Sequence, residues 1–171
     1  YTHALIGVSS LWLLTLLPSD TAASNIALMA PCVAFGALLP DLDAAESKIK
    51  HVRLSGIKPF ELPALALHQT LGHRGLLHSL VGLGLIAVAA TPLGFYLGWQ
   101  PVVGVVWGYA SHVLADAATR SGIPLLYPKR QCYHLLPRGW RFVTGSQAEE
   151  VLFALAAVLT LLLLLSHLSL G

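Results

Sequence analysis

The stretch Val102-Val-Gly-Val-Val-Trp-Gly-Tyr-Ala-Ser-His112-Val-Leu-Ala-Asp116-Ala-Ala118 decides how this chain is read. It is predominantly apolar, yet it carries a histidine and an aspartate four residues apart near its end. On a helix those two share a face, one turn from each other, so an imidazole nitrogen and a carboxylate oxygen can bind one ion. If the stretch crosses a membrane, a charged Asp116 costs roughly 2.5 to 3.5 kcal/mol even on the mildest scale. It then needs a partner, and a cation held jointly with His112 supplies one.

The membrane reading follows from composition. Of 171 residues, 56% are hydrophobic and 11% charged, with a mean hydropathy of +0.71, whereas a soluble domain carries roughly a quarter charged residues. A soluble domain of this size cannot hide so much apolar surface, so lipid is the solvent for much of it. The expected fold is an all-α integral membrane bundle of about five transmembrane helices, with two long interfacial loops, in a single domain over residues 1–171. The apolar segments are residues 4–17, 24–39, 76 to about 90, 102–118 and 151–165. Each is shorter than the ~20 residues that cross a hydrocarbon core, so the helices are expected to extend into their polar flanks. The first segment lacks a basic n-region and a small-residue cleavage motif and reads as a retained helix.

On this topology all ten basic residues fall on one side. Lys48, Lys50, Arg53, Lys58 and Arg74 precede the third helix, and Arg120, Lys129, Arg130, Arg138 and Arg141 follow the fourth. The turns at residues 18–23 and 91–101 carry none. The positive-inside rule makes the basic side cytoplasmic, with the N-terminus inside and the C-terminus outside, in an inner membrane. The net charge of +2 and pI near 8.7 are accounted for by these two loops, which argues for anionic lipid head groups and against nucleic acid. Cys32 and Cys132 form no CxxC and suggest no disulfide framework.

The long loop over residues 41–72 contains Ile49, Val52, Leu54, Ile57 and Leu62, a pattern suited to pieces lying along the interface. In the loop over 119–145, Pro124, Pro128 and Pro137 break any long helix, and Tyr127, Tyr133, Trp140 and Phe142 suit head-group depth. Ser146-Gln-Ala-Glu149 matches a capping box that starts the last helix.

Two further motifs flank apolar segments. Gly72-His73-Arg74-Gly75-Leu-Leu-His78-Ser79 opens the third; His73 and His78, five apart, would diverge by about 140° on one helix, so they converge only if His73 precedes the first turn. Leu38-Leu-Pro40-Asp41-Leu-Asp43 closes the second, and in a strand-like segment Asp41 and Asp43 point to the same side. His3 stands at the start of the first. Helices 1 and 3 start, and helices 2 and 4 end, in one layer. That layer holds His3, Asp41, Asp43, His73, His78, His112 and Asp116, with Glu149 as a weaker eighth.

Singly, each motif has an ordinary structural explanation: a hydrogen-bonded His–Asp pair, a helix stop, a basic patch facing lipid, a cap. Their co-location favours a site, because three acids unpaired at a membrane edge are costly. His51, His68, His134 and His167 are expected to be non-ligands. Seven candidates exceed the three ligands and a water of one catalytic zinc, so one or two divalent ions are expected, zinc by donor chemistry, with manganese as the other choice. A binuclear centre would activate a water and clamp a phosphoryl oxygen.

The ordered set Thr2-His3-x3-Gly7, Leu39-Pro-Asp-Leu-Asp43, His73-Arg-Gly-x-x-His78-Ser79, Gly108-Tyr-x-Ser-His112-x-Leu-x-Asp116-x-x-Thr119-x-x-Gly122 and Thr144-Gly-Ser146 resembles the YdjM-like membrane-bound metal-dependent hydrolases, some of them LexA-regulated. That family is distantly similar to zinc-dependent phospholipase C and P1-type nucleases. The resemblance implies that His112 and Asp116 are metal ligands, joined by His3, Asp41, Asp43, His73 and His78. The fuller zinc set of the soluble enzymes has later histidine and glutamate positions, for which this chain offers only Glu149 or Glu150.

The expected function is metal-dependent hydrolysis of a membrane lipid, a phosphoester first and an amide or carboxyl ester next, at the cytoplasmic interface. Asp41 or Asp43 would orient the water, and Arg74 or Arg120 would hold a non-bridging oxygen. Ser79 and Ser111 lie beside histidines in sequence, but neighbours on a helix do not face each other, which disfavours a serine nucleophile. The other class is a metal-stabilised membrane scaffold or a carrier. A carrier would need ionisable residues deeper in helices 1, 3 and 5, and a structural zinc site closes with four ligands.

Overall fold

The computed structural model describes residues 2–14, 24–43, 75–143, 146–147, 149–151, 154–159 and 162; within the first two stretches, side chains are described at 5–11 and 29–42. The chain is mostly helical. Helix α1 spans Thr2–Leu14 and α2 spans Ser24–Gly36. A 3-10 turn, Pro40–Asp43, follows α2, and another, Leu76–His78, leads into α3, Leu80–Leu97. Helix α4 spans Trp99–Ala117, a 3-10 turn occupies Arg138–Trp140, and residues 149–151 and 154–159 are helical. The expected interfacial pieces between 44 and 72 lie outside the described residues.

The third helix differs from its expected bounds. It begins at Leu80 rather than Leu76 and runs through Thr91-Pro92 to Leu97, where a loop over 91–101 was expected. Pro92 removes one backbone donor, and beside it the Thr91 hydroxyl donates to the Ala87 carbonyl at 3.0 Å, a local adjustment typical of proline in apolar helices. Gly98 alone then separates α3 from α4. Its φ of +85° is open to glycine and strained for other residues. Pro31 is likewise tolerated inside α2.

Among the described residues, α3 is the one helix long and apolar enough to cross a bilayer, with a mean hydropathy of 2.0 over 18 residues. At about 1.5 Å per residue it is about 27 Å long. Only 17% of it is buried, and Leu85, Val88, Leu93 and Phe95 are exposed on it.

The bundle is built on α4. Gly104-Val-Val-Trp-Gly108 is a small-x-x-x-small stripe that lets helix backbones approach closely. A Cβ on Gly108 would overlap the Val33 carbonyl and Ala37 amide, and one on Gly36 would overlap the Val105 carbonyl. Gly7 of α1 meets Ser111, Val33 and Ala37 at the same level. Leu11, Met29 and Val33 form one core cluster. Leu39, Tyr109, Val113, Ala117 and Ile123 form the other. The Trp107 indole donates to Ser10 Oγ at 2.8 Å, and Ser9 Oγ donates to the Ala156 carbonyl at 3.3 Å, tying α1 to α4 and to the last helical residues.

Residues 119–143 fold back over the end of α4. Leu135 N–H donates to Ala117 O at 2.7 Å and Phe142 N–H to Ala118 O at 3.2 Å, so carbonyls that a helix end leaves open are satisfied by the returning chain. Leu80 N–H donates to Leu125 O at 3.0 Å, fastening the segment to the start of α3. Gly122 adopts a φ of +64° with the Tyr133 carbonyl and His134 ring against it.

Ser79 caps α3: its hydroxyl accepts from Gly82 N–H at 3.2 Å and donates to Leu76 O at 2.6 Å. This fixes the turn that carries His78. Ser79→Ala is expected to lower stability by about 1 kcal/mol, read as a modest fall in the thermal unfolding temperature in detergent.

Candidate metal centre

Four ionisable side chains meet where α2 ends, α3 begins and α4 ends. His112 Nε2 lies 3.7 Å from Asp41 Oδ1 and 3.7 Å from Asp116 Oδ2, and His78 Nε2 lies 3.4 Å from Asp116 Oδ2. Ligand atoms of Asp41, His78 and His112 all lie within 4.8 Å of one another. The two imidazole rings meet edge to face, with centroids 5.4 Å apart.

Each side chain is aimed by its own element. His112 and Asp116 share a face of α4 by their i, i+4 spacing. His112 Nδ1 donates to the Ala37 carbonyl at 2.6 Å. A carbonyl only accepts, so Nδ1 carries a proton, and Nε2 on the far side of the ring faces the two carboxylates. Nε2 thus sits between two carboxylates, an arrangement that positive charge shared among the three groups stabilises. A carbonyl partner on the far nitrogen of a histidine is also what metal-ligating imidazoles usually have. Tyr109, fully buried, donates its hydroxyl to the Leu77 carbonyl and holds the turn that presents His78.

The donor set fits a divalent ion. With bonds of about 2.0 Å, ligands of a tetrahedral zinc are separated by about 3.3 Å. Three of the separations, 3.4–3.7 Å, lie close to that edge, and the ligand atoms of Asp41, His78 and His112 fall within 4.8 Å of one another. Two carboxylates and two imidazoles also match a borderline-soft ion. His78, His112 and Asp116 are buried, whereas the Asp41 side chain is 38% exposed. The cluster is therefore closed on the protein side and open at Asp41.

The other expected site residues are placed as follows. His3 belongs to the first turn of α1, one turn before Gly7 and at this same end of the bundle; its side chain lies outside the described residues. Asp43 belongs to the Pro40–Asp43 turn, and its side chain is also outside them. The strand-like geometry expected to pair Asp41 with Asp43 is replaced by a 3-10 turn, in which residues two apart are about 240° around the axis. His73 and Arg74 lie outside the described residues. Arg120 follows α4 with an exposed side chain, and its carbonyl accepts from His134 Nε2 at 3.1 Å. Glu149 donates its backbone N–H to Ser146 Oγ at 3.4 Å, the N-cap half of the expected capping box. Neither Cys32 nor Cys132 forms a disulfide. Ser79 and Ser111 direct their hydroxyls to the Leu76 and Gly108 carbonyls, which accords with discounting them as nucleophiles.

Sequence reasoning missed Tyr109 and the Ala37 carbonyl. The signal for the first was present in Gly108-Tyr109, a large polar-tipped ring beside a residue chosen for close approach. A backbone acceptor leaves no such trace.

A family model described as YdjM inner membrane protein matches residues 1–170. Inner membrane protein YdjM of Escherichia coli (strain K12) and that of Shigella flexneri are each 37% identical over 118 residues, 66% of this chain and 50% of the relative. The protein YvsG of Bacillus subtilis (strain 168) is 35% identical over 128 residues, 74% of this chain and 72% of the relative. The chain thus spans about half the length of the first two relatives it matches. No solved structure matches. With that match over nearly its whole length, the chain belongs to the YdjM inner membrane protein family.

Proposed function

We propose that this chain is a multi-pass inner-membrane hydrolase that uses one or two divalent ions, zinc first and manganese next, to cleave a phosphoester of a membrane lipid at the cytoplasmic face. The observation that carries the reading is the convergence of Asp41, His78, His112 and Asp116 at one end of an apolar bundle, open at Asp41. The placement rests on the apolar, outward-facing α3 and on the basic residues flanking the site end, which make that end cytoplasmic.

His78, His112 and Asp116 would hold an ion from the buried side, with Asp41 at the mouth; His3, Asp43 and His73 would supply the ligands of a second. A bound divalent ion supplies Lewis acidity to a phosphoryl oxygen and lowers the pKa of water. Asp41, half in solvent, is placed to orient the attacking water and accept its proton. Arg74 and Arg120 would balance charge on the non-bridging oxygens. The acyl chains remain in the lipid while the head group enters the polar layer. A metal-stabilised scaffold is the second reading, favoured by the burial of three of the four donors.

Dialysis of detergent-purified protein against a strong chelator is expected to remove at least one equivalent of metal, measured by inductively coupled plasma mass spectrometry. Phosphate or phosphoalcohol release from mixed lipid micelles should stop with it and return on adding zinc or manganese. A well-folded protein that holds no metal, and takes up none, would sink the reading. Metal without turnover on phosphoester, amide or ester lipids would leave the scaffold.

A further inference from the structure

An open apolar cavity of about 400 Å³ lies on the flank of α4 next to the metal centre. Its walls are Leu80 and Leu83 of α3, Ala110 and Leu114 of α4, and Ile123 and Leu125 of the returning segment. The volume falls within the range of small-molecule pockets, roughly 300–1,000 Å³. Its lining is almost wholly apolar, with Tyr133 and His134 as the residues that carry polar side-chain atoms. One end adjoins the metal centre through the chain itself: Leu80 is two residues from His78, and the cavity-lining Ala117 is next to Asp116.

The segment that forms one wall of this cavity is basic. His134 lines it and donates to the Arg120 carbonyl. Arg120, Lys129, Arg130 and Arg138 are exposed on the same segment, and no acidic residue occurs between Asp116 and Glu149. An exposed cationic segment that walls an apolar slot, against a lipid-facing helix, complements a molecule with an anionic head and a hydrocarbon tail.

We propose that this cavity holds one hydrocarbon chain of an anionic phospholipid drawn from the surrounding bilayer, with its phosphate against the basic segment that walls it. The inference rests on the membrane placement proposed above and is independent of whether a bond is hydrolysed. The slot lies between α3, α4 and the segment fastened at Leu80–Leu125, so the chain enters sideways from the lipid rather than from water. If hydrolysis occurs, the slot selects substrates by their tail and holds them on the side of the cluster that carries His78 and Asp116.

The test uses the full chain in nanodiscs of phosphatidylethanolamine and phosphatidylglycerol, doped with phosphatidylglycerol carrying a diazirine in one acyl chain. After irradiation, adducts mapped by mass spectrometry are expected to concentrate at Leu83, Ala110, Leu114 and Ile123, above the level at Val88 and Phe95, which are 73% and 74% exposed on α3. Ala110→Trp and Leu83→Trp, which fill the slot from different helices, should each lose the concentrated labelling and keep that at Val88 and Phe95. Adducts no denser in the slot than on the outer face of α3 overturn the proposal, and the wild-type map decides this even if both variants fail to fold. Equal labelling of the slot by a diazirine phosphatidylcholine overturns the anionic head group. Metal content and hydrolysis are read separately on the same nanodiscs. A labelled slot without turnover supports this proposal and removes the hydrolase reading alone.

Discussion

On the proposed reading, His112→Ala is expected to strip the protein of its metal and to lower lipid hydrolysis by roughly a thousandfold or more, while the helices remain assembled. His112 is the hinge of the cluster, since its Nε2 faces both carboxylates and its Nδ1 is fixed by Ala37. Without it, the buried side keeps only His78 and Asp116, one short of the three protein ligands a catalytic zinc needs, with Asp41 left at the mouth. Losing several kcal/mol of charge stabilisation in the transition state, at about 1.4 kcal/mol per tenfold, gives that factor.

The fold should survive because the α2–α4 contact does not depend on the ring. Leu39, Tyr109, Val113, Ala117 and Ile123 still pack together, and the close approach at Gly108 is unchanged. The Ala37 carbonyl does lose its partner, at a cost of about 1–3 kcal/mol, so a lowered melting temperature accompanies the loss of metal. Metal content, turnover and melting temperature measured together separate the two readings. A hydrolase loses metal and turnover with a modest fall in stability. A scaffold loses metal and unfolds, as structural zinc sites do.

The centre was legible in the sequence to the extent that its residues were bound to one layer. The apolar segments set which ends coincide, and the His112–Asp116 spacing set a shared face, so local periodicity was enough. Asp41 was legible as a residue and not as a geometry. Pro40 signals only that the helix stops, and a strand-like continuation and a 3-10 turn satisfy that signal equally. The bounds of α3 were misjudged for a related reason. Thr91-Pro92 reads as a break by rules drawn from water, where a freed carbonyl is quickly solvated. In an apolar setting there is no water to reward breaking, and the helix continues to Leu97 with the Thr91 hydroxyl bonded to its own backbone. Interactions through backbone atoms, such as Ala37 with His112, depend on the relative height of two helices and leave no mark in composition or spacing.

Gly108→Val is expected to be among the most damaging single substitutions in the bundle, lowering stability by more than the ~1–3 kcal/mol usual for overpacking. The obstacle is backbone rather than a side chain that can swing aside. A Cβ there would overlap the Val33 carbonyl and the Ala37 amide, and the isopropyl group adds two further carbons. Relief requires α2 and α4 to separate, and the separation falls where the site is held. Ala37, pushed from Gly108, is the residue whose carbonyl orients His112 one turn further along α4. The variant should therefore lose metal as well as thermal stability, although Gly108 carries no ligand. Gly84→Ala supplies the control, because nothing lies within 4 Å of a Cβ at that position of α3. A helix-interior Gly to Ala change in open space should be neutral or stabilising by up to ~1 kcal/mol, with metal content unchanged. Thermal unfolding in detergent and metal analysis on both variants check the pair. If Gly108→Val melts like the wild type and keeps its metal, α2 and α4 do not meet as described, and the route from the glycine stripe to the metal centre fails with it.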